Sequence, residues 1–127
     1  PRSTLFPYTT LFRSERSIRT DMLSALEYIN SHYQEPELSV EQVSEVIHIS
    51  PSYFSRMFRE ISELSFPEYV NNLRLNYASE LLKTKRLSVK EVAQKAGFSG
   101  TSYFSAQFKK KYGISPSSYR NETSKSE

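Results

Sequence analysis

Two sets of small hydroxyl and cationic side chains recur at matched spacing: Ser52, Ser55, Arg56 and Arg59, then Ser102, Ser105 and Lys109. Serine hydroxyls donate and accept hydrogen bonds, and a guanidinium forks onto O6 and N7 of guanine. Such side chains on one helix face suit a helix laid in the major groove of duplex DNA, where base edges carry a complete donor–acceptor code. On a single helix this face would be ordinary solvated surface. On two matched helices it predicts base readout.

Other chemistries have little to work with. The 127 residues include no Cys, which removes disulfides, thiolate metal sites and cysteine nucleophiles. Gly occurs only at 97, 100 and 113, so no phosphate-cradling glycine loop exists. His32 and His48 are the only histidines, and neither has a partner at metal-ligand spacing. They read as a helix-end residue and a turn residue. Glu35 and Glu37 flank Pro36 in a solvated loop. No nucleophile–base pair is present, so the chain is predicted not to be an enzyme and to need no cofactor or metal. No apolar run approaches membrane-spanning length. The expectation is a cytoplasmic, non-membrane domain.

The elements that must position the two faces are repeated. Leu38-Ser39-Val40-Glu41-Gln42-Val43 returns as Leu87-Ser88-Val89-Lys90-Glu91-Val92 at an offset of 49. Ser52-Tyr53-Phe54-Ser55 returns as Ser102-Tyr103-Phe104-Ser105 at an offset of 50. Each copy reads as two short helices around a turn. Ser39 with Gln42, and Ser88 with Glu91, form capping boxes. Val40, Val43 and Ile47 mark one buried stripe, and Val89, Val92 and Ala96 the other. The turns fall at His48 and Gly97, two residue types that accept positive φ. Ser50 and Ser99 are predicted to cap the second helices, with Pro51 at a first helical position. At about 100° per residue, Phe54, Met57, Phe58 and Ile61 gather on the core side. Phe104 and Phe108, with Lys111, gather likewise in the second copy. Ser52, Ser55, Arg56 and Arg59, and Ser102, Ser105, Ala106 and Lys109, point away. A helix, a short turn and a second helix make a helix-turn-helix.

Between the copies, Phe66, Val70, Leu73, Tyr77 and Leu81 define one amphipathic helix of about 18 residues, roughly 27 Å long. A spacer of that length would hold two recognition helices, about 51–62 and 100–111, near the roughly 34 Å repeat of successive major grooves. Upstream, Ile18, Met22, Leu26, Ile29 and Tyr33 give a further helical stripe ending before Pro36. The predicted fold is all-α, about seven helices in two helix-turn-helix subdomains joined by a long linker helix. The first unit spans about 20–64, the linker helix about 66–83 and the second unit about 87–120. A frayed tail is expected over 121–127.

Charge is unevenly spread. Residues 15–69 carry 4 Lys and Arg against 10 Asp and Glu, whereas residues 70–127 carry 11 against 4. The basic half suits a polyanionic partner. Residues 1–14 stand apart, with no helical or strand period. Leu5 to Ser14 resembles the translation of a common sequencing adapter at all ten positions. The expectation is that residues 1–14 are adapter-derived, that 15–120 form the DNA-binding domain, and that Glu15 is an internal residue of a longer protein.

Two stretches carry a family resemblance. Ser50-Pro51-Ser52-Tyr53-Phe54-Ser55-Arg56-Met57-Phe58-Arg59 resembles the first recognition segment of the AraC/XylS family of bacterial transcription regulators. Val89 to Arg120, with Ala96-Gly97-Phe98-Ser99, Ser102-Tyr103-Phe104-Ser105, Phe108-Lys109-Lys110 and Gly113-Ile114-Ser115-Pro116, resembles that family's signature. Arg74, Ala78, Leu81 and Leu82 are similar to its linker helix. The resemblance covers about residues 20–120. It implies promoter binding through two tandem major grooves, with base contacts from Ser52, Ser55 and Arg56 and from Thr101, Ser102 and Ser105. It also implies contact with RNA polymerase, and an N-terminal sensor or receiver domain, absent here, that mediates homodimerisation.

Three departures from the family pattern stand out. Glu63 replaces a frequent Gly, Ser44 replaces a small Ala and adds a hydroxyl to satisfy, and Ala106 replaces a common Arg. The last predicts a division of labour: Arg56 gives the first unit more sequence discrimination, and the lysines give the second more backbone attraction. The competing reading is a helical protein–protein module that never meets DNA. It rests on the 17 Tyr and Phe residues, some of which could be exposed.

Overall fold

The structure is a computed structural model and describes residues 14–84 and 86–125. Among them are seven α-helices and no strand: α1 Glu15–His32, α2 Val40–Val46, α3 Pro51–Ser62, α4 Phe66–Leu82, α5 Val89–Ala96, α6 Thr101–Tyr112 and α7 Pro116–Lys125. The adapter-like segment lies outside the described residues except Ser14. Its Oγ accepts from the Ser17 amide at 3.1 Å and caps α1. No helix among the described residues is long and apolar enough to cross a membrane.

The chain divides into two compact units. The first contains α1, Glu37–Val70 and therefore α2, α3 and the opening turn of α4. Its helix-turn-helix forms as the sequence predicts. Ser39 accepts from the Gln42 amide while the Gln42 side chain accepts from the Ser39 amide. The chain then turns through His48 at φ 63°, and Ser50 caps α3 by accepting from the Tyr53 amide at 3.1 Å. Phe54, Phe58 and Met57 are fully buried, as are Val43 and Ile29 of the same unit. Phe66 closes this core edge-on to both phenylalanines. The Ser44 hydroxyl is buried but satisfied, donating to the Glu41 carbonyl at 3.1 Å. Ile61, placed by its angle in the core stripe, is 39% exposed, because it lies in the last turn of α3 beyond the aromatic cluster.

The second unit contains Tyr33–Pro36 and everything from Asn71 onward. Ser88 and Glu91 form the second capping box, and Gly97 makes the turn at φ 109°. Leu75, Ala78 and Leu82 of α4 pack with Val92, Ala96, Phe98, Phe104 and Phe108. Three expectations are corrected here. The N-cap of α6 is Gly100, with no side-chain bond, so Ser99 does not cap it. The buried face of α4 in this unit is Leu75, Ala78 and Leu82, while Leu73, Tyr77 and Leu81 are half-buried. One unbroken stripe fails because the helix contributes first to one core and then to another. Finally, α7 continues to Lys125, into the stretch expected to fray. The Thr123 hydroxyl donates back to the Tyr119 carbonyl within it.

Candidate nucleic-acid interface

In the first unit, α3 turns Tyr53, Phe54, Met57 and Phe58 inward. With 3.6 residues per turn, the other side must carry Ser52, Ser55, Arg56 and Arg59, and all four are exposed. Arg56 lies nearly opposite Phe54, at one edge of the arc that these four side chains span. Arg59 is partly engaged by its own unit. The Glu68 carboxyl is held below its usual pKa by bonds from the Ser65 amide and hydroxyl, and further by the Arg59 charge. Glu60 is also exposed on this helix and adds a carboxylate beside the cations.

In the second unit, α6 buries Phe104 and Phe108. Ser102, Ala106, Lys109 and Lys110 are exposed on the far side, whereas Thr101 and Ser105 are half-buried at its margins. Thus the eight expected positions sort into six exposed ones and two recessed ones. Gln107 is held from behind, its Oε1 accepting from Asn71 Nδ2 at 3.2 Å. Lys111, placed by its angle on the side of Phe104 and Phe108, points back to α4. Its Nζ donates to Asn76 Oδ1 at 3.0 Å, and burial lowers its pKa. That leaves Lys109 and Lys110 as the free-facing cations of α6.

The repeat also hides a difference. Tyr53 is 6% exposed, yet its counterpart Tyr103 is 59% exposed. Identical Ser-Tyr-Phe-Ser strings gave no sign of this. α3 packs against α1 as well as α2, whereas α6 packs against α5 and α7. The surrounding helices, rather than the local string, decide the burial.

The two histidines lie at a helix end and in a turn, as the sequence predicts. His32 ends α1, stacked on Tyr28 and bonded to its carbonyl at 2.8 Å. His48 occupies the left-handed turn. No group of three or more potential ligands able to hold a metal exists among the described residues.

A family model described as a helix-turn-helix domain matches residues 43–122. The regulatory protein PocR of Salmonella typhimurium is 37% identical over 101 residues, which are 80% of this chain and 33% of that protein. The chain therefore spans about a third of that relative's length. Among solved structures, the C-terminal domain of AraT, a response regulator from Geobacillus stearothermophilus, is similar with a TM-score of 0.74 at 33% identity. That match covers 94% of this chain and 88% of the other. The DNA-binding domain of AdpA, solved in complex with a target DNA, gives a TM-score of 0.75 at 26% identity, covering 80% of this chain and 91% of that one.

Proposed function

Because the chain belongs to the AraC/XylS family of helix-turn-helix transcription regulators, we propose that residues 15–125 bind promoter DNA in a sequence-specific way. One observation carries the reading: each unit presents, on the helix after a left-handed turn, an exposed face of hydroxyls and cations backed by buried phenylalanines. Rigid backing is what a reading helix needs, since base discrimination depends on fixed donor and acceptor positions. The similarity to a domain solved on its target DNA supports the same reading.

In this proposal α3 and α6 enter successive major grooves. Ser52, Ser55 and Arg56 read base edges from the first unit, and Thr101, Ser102 and Ser105 from the second. Arg59 and Lys109 hold phosphates. The full protein acts in the bacterial cytoplasm, carries a sensor or receiver domain that dimerises it, and contacts RNA polymerase. No catalytic step belongs to this domain.

The protein–protein alternative rests on exposed aromatic residues, and of the Tyr and Phe side chains Tyr103 is the large exposed one among the described residues, with Leu23, Val46 and Ile61 exposed besides. Single exposed apolar residues are normal on soluble domains, so they weigh little. Mobility shift on random-sequence duplex across a salt series decides the matter. DNA binding gives a complex that weakens linearly in log–log form as salt rises. A chain that shifts no duplex at any salt would leave only the protein-binding alternative.

A further inference from the structure

The outward face of α6 has an apolar centre. Ala106 is exposed and lies about 180° around the helix from the mean direction of the buried Phe104 and Phe108. Tyr103, three residues earlier and therefore a neighbour on the helix surface, is 59% exposed. Its ring stands 6.2 Å from that of Phe98, tilted by 51°. Phe98 is itself buried, so the tyrosine is braced from behind while its ring faces solvent. Ser102, Lys109 and Lys110 surround this patch and are exposed.

The first unit is built differently at both positions. Arg56 stands where Ala106 stands, and Tyr53 is buried where Tyr103 is not. The two faces thus offer different chemistry to a partner: a forked cation in one, an aromatic ring and a methyl group in the other. Flanking lysines select a polyanion for the second face. Within a major groove, the one apolar group on a base edge is the C5 methyl of thymine, and alanine and aromatic side chains are suited to cover it.

We propose that Tyr103 and Ala106 form a thymine-methyl reader, so that the second unit selects T·A pairs by apolar contact. The first unit selects guanine through Arg56. This rests on the DNA-binding reading above and makes Tyr103, absent from the sequence-derived set, a specificity-determining residue.

The test starts with the 127-residue chain and a random duplex pool, from which bound sequences are enriched. In an enriched duplex, each thymine is then replaced singly by deoxyuridine, which removes only the methyl group. Outside the base pair relaxed by Arg56→Ala, one or two replacements should weaken binding by about fourfold per methyl. Tyr103→Ala should lose that sensitivity, and Tyr103→Phe, which keeps the ring, should retain it. The deoxyuridine scan on the unaltered chain needs no variant, so a folding defect cannot obscure it. Three results would overturn the inference while leaving DNA binding intact: indifference to every replacement, no thymine in the second half-site, or an unchanged penalty in Tyr103→Ala. Failure to enrich any sequence would instead remove the DNA-binding reading and this inference together.

Discussion

Arg74 Nε donates to the Tyr33 carbonyl at 2.6 Å, and Gly97 passes so close to this bond that an added Cβ would lie 2.8 Å from both atoms. Arg74 Nη2 donates in addition to the Glu35 carbonyl at 2.8 Å. The guanidinium fork therefore fastens the Tyr33–Pro36 segment to α4, with the turn between α5 and α6 pressed against it. This relationship gives Gly97 two separate reasons to be glycine. It needs positive φ, and it has no room for a side chain.

Gly97→Ala should therefore destabilise the chain more than left-handed strain alone, by about 2–4 kcal/mol. Urea unfolding followed by circular dichroism would measure it. A loss under about 1 kcal/mol would show that the neighbouring carbonyl and guanidinium yield easily.

Arg74→Met keeps the apolar stem and removes the fork. Losing charge-assisted bonds to two carbonyls should cost about 1.5–3 kcal/mol. Arg74→Lys should recover only part of this, because an ammonium cannot reproduce the planar geometry. Equal stability of the lysine variant and the parent chain would count against the bidentate role.

Glu63 ends α3 at φ 65°, the place Gly113 fills after α6 at φ 86°. A residue with a Cβ pays for that conformation, so Glu63→Gly should raise stability by about 0.5–1 kcal/mol. Thermal melting would read the gain. A fall in melting temperature would mean that the chain entropy added by glycine outweighs the relieved strain.

Acid sensitivity should arise at two capping glutamates, Glu91 and Glu68, which are held by the same kind of bonds. Glu91 is held below its ordinary pKa by bonds from the Ser88 amide and hydroxyl, with a further contribution from Lys95. A depressed folded pKa stabilises the fold above the unfolded value near 4.5, and this is lost as pH falls through the lower folded value. The first copy uses Gln42 at the same position and does not titrate. Glu91→Gln should flatten the dependence of stability on pH below 4.5 while keeping the cap, as chemical denaturation at pH 3 to 6 would show. An unaltered slope would assign acid sensitivity elsewhere, with Glu68 and Ser65 the next pair to test.

Arg56→Ala should cost about 1–3 kcal/mol on a selected sequence and relax preference at one base pair. Lys109→Ala should weaken all duplexes alike and reduce the salt slope by about one. Competition binding against random duplex at two salt concentrations separates them. If both variants behaved identically, the division between reading and holding would fail.

Much of this was legible in the residues, and the exceptions share a cause. The turns at His48 and Gly97, the boxes at Ser39 and Ser88 and the span of α3 follow from local chemistry that short windows contain. The face of α4 does not. Its hydrophobic spacing suggests one stripe, but Phe66 and Val70 enter one core while Leu75, Ala78 and Leu82 enter another. Periodicity records that residues are apolar without recording which neighbour takes them. Tyr53 and Tyr103 make the same point, since identical strings end buried in one unit and exposed in the other. The cap at Gly100 rather than Ser99 is a one-residue shift, and no side-chain bond marks it.

The placement of Tyr33–Pro36 has a consequence for how the duplicated halves could be used separately. A gene fragment starting at Asn71 would encode all the helices that bury Phe104 and Phe108, yet lose the Tyr33 and Glu35 carbonyls that Arg74 grips. The missing four residues are encoded between α1 and α2. Repetition at the level of the motif has not left two interchangeable cassettes, because the later half borrows part of its own floor from the earlier one.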